Sequence, residues 1–322
     1  MNEPITYYAP ASVGNLSVGF DLLGLALEPL DGSHFGDRVT VGVAKPGDQS
    51  PQLSFHGQYA SALPSDPVEN VVTRCLDLYR AELGMPACPE LSIKLTKSLP
   101  IGSGLGSSAS SIVAALAAIN QWFDNPVDAD GLLDLMSKAE CGVSGEKHFD
   151  NIAPSYFGGL VLCESLDEPP QFLFWPDAWQ IIVAYRNTEV KTKDARNVLP
   201  NSYPRSVLVS QAASLARFVH GLGSGDLELA ARNIVDLVAE PYREQLLPDY
   251  SQAKHHALQH GALAAGISGS GPTMFAVVDH AEKAKELADW LGHHYARDGF
   301  VKLCTVDRIG ARQLTGVNRE VH

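Results

Sequence analysis

Cysteine and basic residues are scarce in this 322-residue sequence, and it contains no long hydrophobic run. Its five cysteines are odd in number, and no two of them stand at C-x-x-C spacing. This disfavours a disulfide framework and a zinc ribbon, and it fits a reducing compartment. Acidic residues outnumber basic ones by 37 to 24, giving a net charge of −13. That balance argues against nonspecific nucleic-acid binding, although a locally positive pocket can still hold a small anion.

No segment has the form of a membrane span or a secretory signal. The longest apolar run, at 112–119, is much shorter than the ~20 residues that a membrane helix needs. Residues 1–10 lack the basic head and apolar run of a secretory signal. We therefore expect a cytoplasmic protein that binds neither nucleic acids nor membranes.

Hydrophobic patterning predicts a two-domain α+β protein with a substantial core, since 45% of the residues are hydrophobic and 19% are charged. Three prolines between residues 166 and 176 mark the predicted boundary, which gives domains 1–168 and 169–322. Strand patterns occur at 39–43, 91–95, 180–185, 273–278 and 300–306. Helix patterns occur at 70–83, 108–122, 131–140, 205–222, 226–239, 249–261 and 280–291.

The most informative segment is the glycine-rich loop P-I-G-S-G-L-G-S-S-A at residues 100–109, between a predicted strand and a predicted helix. Its three alternate glycines let the backbone approach a ligand and turn N–H groups inward. The helix begins at Ser107 or Ser108, both good N-caps, and its N-terminus favours anions. The pattern is neither a Walker A loop nor a Rossmann fingerprint. Taken alone, it fits a phosphate cradle or a simple Gly/Ser turn.

Two further glycine-rich motifs accompany this loop, a first motif at 10–27 and a third motif at 266–273. In order and spacing the three resemble the galactokinase, homoserine kinase, mevalonate kinase and phosphomevalonate kinase (GHMP kinase) superfamily. Within it, the chain is most similar to the homoserine kinases. The similarity covers nearly the whole chain and is weakest from 44 to 67. Its further carriers are Asn15 with 19–21, 148–154, 158–159, 190–196 and 240–243.

This resemblance implies a GHMP kinase two-domain fold, with an N-terminal ribosomal-protein-S5-like β-α-β domain, a C-terminal ferredoxin-like domain and the site between them. It implies that ATP, with Mg²⁺, phosphorylates the γ-hydroxyl of L-homoserine, a step of threonine biosynthesis. A homodimer is left open. Two alternatives remain: a related kinase for another small alcohol, and a catalytically silent sensor of ATP and a metabolite.

An amino-acid substrate needs a carboxylate for its ammonium group and a guanidinium for its carboxylate. The resemblance assigns the ammonium to Asp21 and the carboxylate to Arg196 and Arg243, with Thr192 orienting Arg196. The rest of the substrate pocket is assigned to Asn15, His148, Asn151 and Gly269.

The resemblance assigns ATP to the glycine-rich loop, through Pro100, Ile101, Gly102, Ser103, Gly104, Leu105, Gly106, Ser107, Ser108, Ala109 and Ser110. Mg²⁺ accompanies ATP because it neutralises the β- and γ-phosphate oxygens. It is assigned to the Ser108 hydroxyl and the Glu140 carboxylate. Glu140 stands at the C-terminal end of a predicted helix, where a negative charge is unfavourable unless a cation lies nearby. Glu146 remains a second candidate for the metal.

Catalysis is assigned to Asn151, with Ser108 and Glu140 acting through the metal. Other branches of the superfamily have an aspartate as base where Asn151 stands, and asparagine accepts no proton at neutral pH. Phosphoryl transfer tolerates this, because positioning and charge stabilisation dominate its loose transition state. The γ-phosphate or solvent would then take the hydroxyl proton. Alternation along an extended segment would point Asp150 away from Asn151, and Asp150 stays open as an alternative base.

Overall fold

The computed structural model describes residues 3–44, 51–64, 70–85, 91–144, 147–188 and 190–315. The strands of this described part are β1 (Ile5–Pro10), β2 (Ser12–Gly14), β3 (Leu23–Pro29), β4 (Gly36–Val43), β5 (Gln52–His56), β6 (Leu91–Thr96), β7 (Leu160–Leu162), β8 (Gln171–Leu173), β9 (Gln180–Tyr185), β10 (Ala264–Ile267), β11 (Met274–Val278), β12 (Phe300–Val306) and β13 (Arg312–Gln313). Its α-helices are α1 (Val71–Glu82), α2 (Ser107–Trp122), α3 (Ala129–Ser144), α4 (Ile152–Phe157), α5 (Thr192–Asn197), α6 (Arg205–Ser224), α7 (Leu227–Arg232), α8 (Glu240–Arg243), α9 (Tyr250–Gln259) and α10 (Ala281–His294).

The first sheet has the strand order β13-β1-β4-β6-β5. Strands β5 and β6 are parallel and are joined through α1, whereas the other neighbours are antiparallel. Helix α2 packs on β1 and β4, with α1 and α3 beside it. Thirteen of its sixteen residues are buried, since alanine and serine side chains allow close packing on every face. This burial fixes the N-terminus of α2, where the glycine-rich loop ends.

The second sheet has the order β10-β11-β9-β12-β3-β7-β8, and β2 pairs with β3. Strand β9 is buried on both faces, as its continuous hydrophobic sequence indicates. Because side chains alternate along a strand, Ile181 and Val183 share a core with α6 and α7. Ile182 and Ala184 share another core with α9 and α10. The sheet therefore carries helices on both faces.

Segments that are distant in sequence share both sheets. Strand β3 lies between β7 and β12, and β13 returns to pair with β1. The α+β class is confirmed. The boundary at 168/169 stays a prediction, and it falls between β7 and β8, which pair with each other. Within the described ranges, no helix is both long and apolar enough to cross a membrane.

The helix predicted at 226–239 is wrong beyond Arg232, where α7 ends. Two side chains offer the backbone alternatives to helical bonds there. The Asn233 amide donates to the Leu229 carbonyl at 2.7 Å. The Asp236 carboxylate accepts the N–H of Ala239 at 2.7 Å. Such local side-chain bonds compete with helix propagation, so the chain restarts as the separate turn α8.

The predicted cap of α2 is also wrong. The helix begins at Ser107 as expected, but its N-cap is Gly106, in the left-handed region at φ 64°, and none of the described side chains caps it. The Ser107 hydroxyl donates instead to the Leu99 carbonyl at 3.3 Å. The first N–H groups of α2 are therefore not masked by a capping side chain.

Candidate active site

One cavity of about 460 Å³ brings the three glycine-rich motifs together. The predicted site residues that line it are Asn15, Asp21, Ile101, Gly102, Ser103, Gly104, Gly106, Ser107, Ser108, Ala109, Glu140, His148, Asn151, Thr192, Arg196, Arg243 and Gly269. Pro100, Leu105 and Ser110 are buried and do not line it. The Ser110 hydroxyl is engaged elsewhere, between the Ala9 carbonyl and the Asp37 N–H, both at 2.8 Å.

The cavity is locally basic although the chain is acidic. Among the described residues that line it, five are lysine or arginine and three are aspartate or glutamate. The basic ones are Lys97, Lys191, Lys193, Arg196 and Arg243. The acidic ones are Asp21, Glu140 and Asp150. This excess of positive charge suits an anionic ligand.

The glycine-rich loop has left-handed backbone at Gly102, Gly104 and Gly106, with φ of 65°, 77° and 64°. At Gly104 the third motif also approaches closely, since a Cβ there would stand 2.3 Å from the Ser268 carbonyl oxygen. The Ser268 hydroxyl in turn donates to the Gly104 carbonyl at 2.7 Å. The third motif thus fixes the loop. The loop leads into the N-terminus of α2, whose unpaired N–H groups and dipole favour a phosphate.

The sequence pattern did not single out Lys97, although a signal was present. Alternate residues of β6 from Leu91 onward face the core, and the same period places residue 97 inward. The Lys97 ammonium donates to the Asp37 carboxylate, to the Ser107 carbonyl at 2.7 Å and to the Ser111 hydroxyl at 2.9 Å. All three donors of the ammonium are engaged. Lys97 therefore ties the first turn of α2 to β4.

The Ser108 hydroxyl and the Glu140 carboxyl lie side by side in the cavity. Burial raises the pKa of Glu140, while the Ser108 hydrogen bond and the Lys97 ammonium lower it. Two hard oxygen donors fit Mg²⁺, which commonly keeps waters and takes further ligands from substrate phosphates. Among the described residues, no group of three or more His, Cys, Asp and Glu side chains could hold a metal by itself. Glu146, the second candidate, lies outside the described residues.

The first motif presents Asp21 through a left-handed turn. Asn15, Leu16 and Ser17 have φ of 68°, 43° and 57°, and Asp21 has φ 57°. This conformation costs about 1–2 kcal/mol for each residue with a side chain. The Asn15 amide supports the turn, accepting from the Asp21 N–H at 2.8 Å and donating to the Gly269 carbonyl at 3.3 Å. Strain of this kind concentrates at ligand sites.

Asp21 and Arg196 form an ion pair at the cavity wall. Two guanidinium nitrogens of Arg196 donate to the two Asp21 carboxylate oxygens, at 2.8 and 3.3 Å. His148 Nδ1 lies 3.7 Å from the same carboxylate. The residues that the resemblance assigns to the two substrate charges therefore neutralise each other. Thr192 is exposed where it lines the cavity.

Arg243 differs from Arg196, because its guanidinium is buried and bonds to neutral groups. Only 3% of the residue is exposed. Its Nε donates to the Ala195 carbonyl at 3.1 Å, and its Nη1 donates to the Gly269 carbonyl at 2.9 Å. Burial lowers its pKa, yet arginine stays charged in proteins. Within the described part of the chain it has no ion-pair partner, so an anionic group of a ligand would compensate its charge.

Short-range contacts hold this arginine in place. Arg243 belongs to the single turn α8, whose N-terminus is capped by the Asp236 carboxylate. The Phe20 ring centre lies 5.3 Å from the Arg243 guanidinium and 5.9 Å from that of Arg196. Aromatic faces attract cations at this range. Phe20 therefore offsets part of the repulsion between the two arginines.

The Asn151 amide is engaged at both ends. Its Oδ1 accepts from the Ser12 hydroxyl at 2.8 Å, and its Nδ2 donates to Asp150 Oδ2 at 3.1 Å. The expectation that Asp150 points away is wrong, because Asn151 has helical backbone before α4, with φ −111° and ψ −38°. Burial and the nearby Asp21 carboxylate raise the pKa of Asp150 to about 7.

Another part of the cavity is apolar and was not found from the sequence. Leu63, Pro64 and Val71 line it. Beside them, Asn70 caps α1 by accepting the Val72 N–H at 2.9 Å. The buried Asn70 Nδ2 has no acceptor among the described residues. An apolar wall with one available donor suits a flat heteroaromatic base.

Comparisons with known proteins match both halves of the chain. The family model "GHMP kinases N terminal domain" matches residues 70–159, and "GHMP kinases C terminal" matches residues 218–297. A homoserine kinase structure from Cytophaga hutchinsonii is 34% identical, with 98% of each chain covered and a TM-score of 0.87.

Two more distant structures show likeness of the fold alone. Streptococcus pneumoniae phosphomevalonate kinase, solved with phosphomevalonate and AMPPNP, is 15% identical, with 97% of this chain and 100% of that chain covered and a TM-score of 0.67. Mevalonate kinase from L. major, solved with R-mevalonate, is 14% identical, with 95% and 96% covered and a TM-score of 0.67.

Proposed function

We propose that this chain, which belongs to the GHMP kinase family, phosphorylates the γ-hydroxyl of L-homoserine with ATP. Membership of the family confirms the expected two-domain fold. The product would be O-phospho-L-homoserine, formed as a step of threonine biosynthesis. One observation carries the choice of substrate. The buried Arg243 guanidinium, which has no carboxylate within ion-pair distance among the described residues, shares a cavity with the Asp21–Arg196 ion pair and the glycine-rich loop.

ATP would span two parts of this cavity. Its base would lie against Leu63, Pro64 and Val71, where Asn70 Nδ2 can donate to a ring nitrogen. Its phosphates would lie on the glycine-rich loop and the N-terminus of α2. Mg²⁺ would be held by Ser108 and Glu140, and when bound it neutralises the β- and γ-phosphate oxygens.

L-homoserine carries three groups that this site can recognise. Its ammonium would pair with Asp21, and its carboxylate with Arg196 and Arg243. Asn151 would hold the γ-hydroxyl, because its amide can donate or accept. Asn15 and Gly269 support this pocket through their hydrogen bond, and His148 closes it beside Asp21.

The reaction would be an in-line displacement. The γ-hydroxyl oxygen attacks the γ-phosphorus, the bond to the bridging oxygen of ADP breaks, and ADP leaves. The hydroxyl proton passes to a γ-phosphate oxygen or to solvent. Positioning by Asn151 and stabilisation of the developing charge supply the acceleration in such a loose transition state.

ADP release with a panel of alcohols tests this proposal. The panel contains L-homoserine, mevalonate, galactose and L-serine, each with ATP and Mg²⁺. We expect ADP release above the ATP-only rate with homoserine, and a much lower kcat/KM with the others. Turnover of another alcohol in place of homoserine would identify a different small-alcohol kinase. ATP binding without turnover of any alcohol would favour a sensor.

A further inference from the structure

We propose that Asp150 is a positioning residue that holds the Asn151 amide in one orientation toward the substrate hydroxyl. The inference rests on the proposed function, in which Asn151 contacts that hydroxyl. A free asparagine amide can rotate by 180° and exchange donor for acceptor. Here the Ser12 hydroxyl binds Oδ1, and Asp150 binds Nδ2.

The surrounding backbone leaves room for the hydrogen-bond network that the side chains of Ser12, Asn151 and Asp150 form. A Cβ on Gly14 would stand 2.5 Å from Asp150 Oδ2 and 2.6 Å from Asn151 Nδ2. A Cβ on Gly106 would stand 2.2 Å from the Ser12 hydroxyl oxygen. A side chain at Gly14 or Gly106 would displace this hydrogen-bond network. Ser12 is also tied to the glycine-rich loop, because its N–H donates to the Leu105 carbonyl at 3.1 Å.

The hydrogen-bond network therefore connects Asn151, which would orient the alcohol, to the glycine-rich loop, which would hold the phosphates. An error of about 1 Å between reacting groups costs on the order of 100-fold in rate. Each amide atom keeps some capacity for the substrate. Oδ1 retains one lone pair and Nδ2 retains one proton after the bonds to Ser12 and Asp150 are made.

The protonation state of Asp150 controls this arrangement. The ionised carboxylate only accepts hydrogen bonds, so it fixes Nδ2 toward itself. A protonated carboxyl can donate and no longer enforces one orientation. Burial favours the protonated form, as do the carboxylates of Asp21 and of Glu140 on α3. The guanidiniums of Arg196 on α5 and Arg243 on α8 favour the ionised form.

The test compares Asp150→Ala with Asp150→Asn in the full-length protein. Alanine removes the acceptor, whereas asparagine keeps an acceptor oxygen but cannot ionise. We expect Asp150→Ala to lower kcat for homoserine about 10- to 100-fold, with the KM for ATP unchanged. We expect Asp150→Asn to restore only part of the wild-type kcat, because its amide oxygen can still accept from Asn151 Nδ2 but its NH₂ group can also donate, so it enforces the orientation less than the carboxylate does. The wild-type rate should fall on the acid side of neutrality, and Asp150→Asn should lose this dependence. Asp298→Asn, an exposed change of the same charge, serves as the control.

Three results would overturn the proposal. If Asp150→Asn is as inactive as Asp150→Ala, Asp150 acts as the base. If both variants keep wild-type kcat and pH profile, the contact with Asn151 has no role in turnover. If Asp150→Ala does not fold, Ser12→Ala releases the other end of the Asn151 amide. An unchanged kcat in Ser12→Ala would then refute orientation by this hydrogen-bond network.

Failure of the proposed function would be distinguishable. If the wild-type protein uses another alcohol, the same ratios to wild type are measured with that alcohol. If the wild-type protein turns over no alcohol, the proposed function fails, and with it the role of Asp150 in orienting an alcohol.

Discussion

The Arg196 guanidinium donates two hydrogen bonds to the Asp21 carboxylate, while Arg243, within the part of the chain that the structure describes, donates only to backbone carbonyls. A zwitterion that inserts between Asp21 and Arg196 replaces one ion pair by two. A carboxylate that reaches Arg243 creates an ion pair where none existed among the described residues. The two arginines should therefore contribute unequally to substrate affinity.

We expect Arg243→Ala to raise the KM for homoserine more than Arg196→Ala. Removing one partner of a buried charge pair costs about 2–5 kcal/mol, and Arg243 is the more buried arginine. Arg196→Ala also frees Asp21 for the ammonium, so a rise of about tenfold, or 1.4 kcal/mol, is expected there. Steady-state kinetics at saturating ATP measure both, and the KM for ATP should stay unchanged. Lysine at either position should rescue only partly, since it lacks the guanidinium fork. Equal losses would contradict the unequal roles.

Asp21→Asn should harm homoserine use far more than use of 4-hydroxybutyrate, which has no ammonium group. The substitution keeps the shape but leaves the substrate ammonium without a full counter-charge, a loss of about 2–5 kcal/mol. The ratio of kcat/KM for the two alcohols, in wild type and variant, measures this. If both substrates lose equally, Asp21 supports the turn rather than the ammonium.

Glu140→Ala and Ser108→Ala should each raise the Mg²⁺ concentration needed for half-maximal activity. Both remove an oxygen donor, and loss of one charge-stabilising group costs about 2.7–4 kcal/mol of transition-state stabilisation. Rates are measured across a Mg²⁺ titration at fixed ATP, and thermal unfolding checks the fold. A wild-type Mg²⁺ dependence in Glu140→Ala would move the metal assignment to Glu146.

Gly104→Ala should weaken ATP use, whereas Gly225→Ala should not. The two glycines have nearly equal φ, 77° and 78°, so both substitutions pay the same conformational cost of about 1–2 kcal/mol. Of the two, the new Cβ meets a backbone oxygen at Gly104, at 2.3 Å, whereas no atom of the described residues lies within 4 Å at Gly225. The KM for ATP and the unfolding free energy are measured for both. Equal KM values would show that the loop moves without consequence.

Asp150→Asn should stabilise the protein increasingly as pH rises from 5 to 8. Folding raises the pKa of this carboxyl from 3.8 to about 7, so the native state binds more protons than the unfolded state between these values. The free energy of unfolding of the wild-type protein therefore falls as pH rises, because the buried Asp150 carboxyl has to ionise. Asparagine does not titrate, and the difference in unfolding free energy should grow by about 2–3 kcal/mol. Urea unfolding at pH 5 and 8 measures it, and parallel pH profiles for the two proteins would contradict it.

The sequence predicted the elements with strong local patterns. Strand β9 matches its predicted range of 180–185, and α2 begins at Ser107. Strands β2, β7 and β8 were not predicted, because three residues are too few for a pattern and each is stabilised by its sheet neighbour. The helix predicted at 226–239 failed because side-chain bonds to nearby backbone outcompeted it.

The candidate site likewise contains features that local sequence predicted and features that depend on tertiary contacts. The glycine-rich loop was found because its glycines, its strand and its helix are neighbours in sequence. The hydrogen bonds by which Lys97 ties α2 to β4, and the apolar part of the cavity at Leu63, were not predicted, because both depend on residues brought in from other elements. The resemblance supplied Asp21, Arg196 and Arg243, but not which of them pair with each other.

By itself the sequence determined the backbone of the glycine-rich loop, since left-handed glycines followed by a helix N-terminus are set by local backbone energetics. It also determined that the chain is acidic overall and that Arg196 and Arg243 lie in the segments 190–196 and 240–243. Only the tertiary structure decided the electrostatics of the cavity. Asp21 and Arg196 are 175 residues apart. Asp150 acquires its raised pKa from burial and from the carboxylates of Asp21 and of Glu140 on α3, although the guanidiniums on α5 and α8 lower it. Coulomb energies and desolvation depend on distance in space and on exclusion of water, and neither is fixed until the two sheets and their helices have packed together.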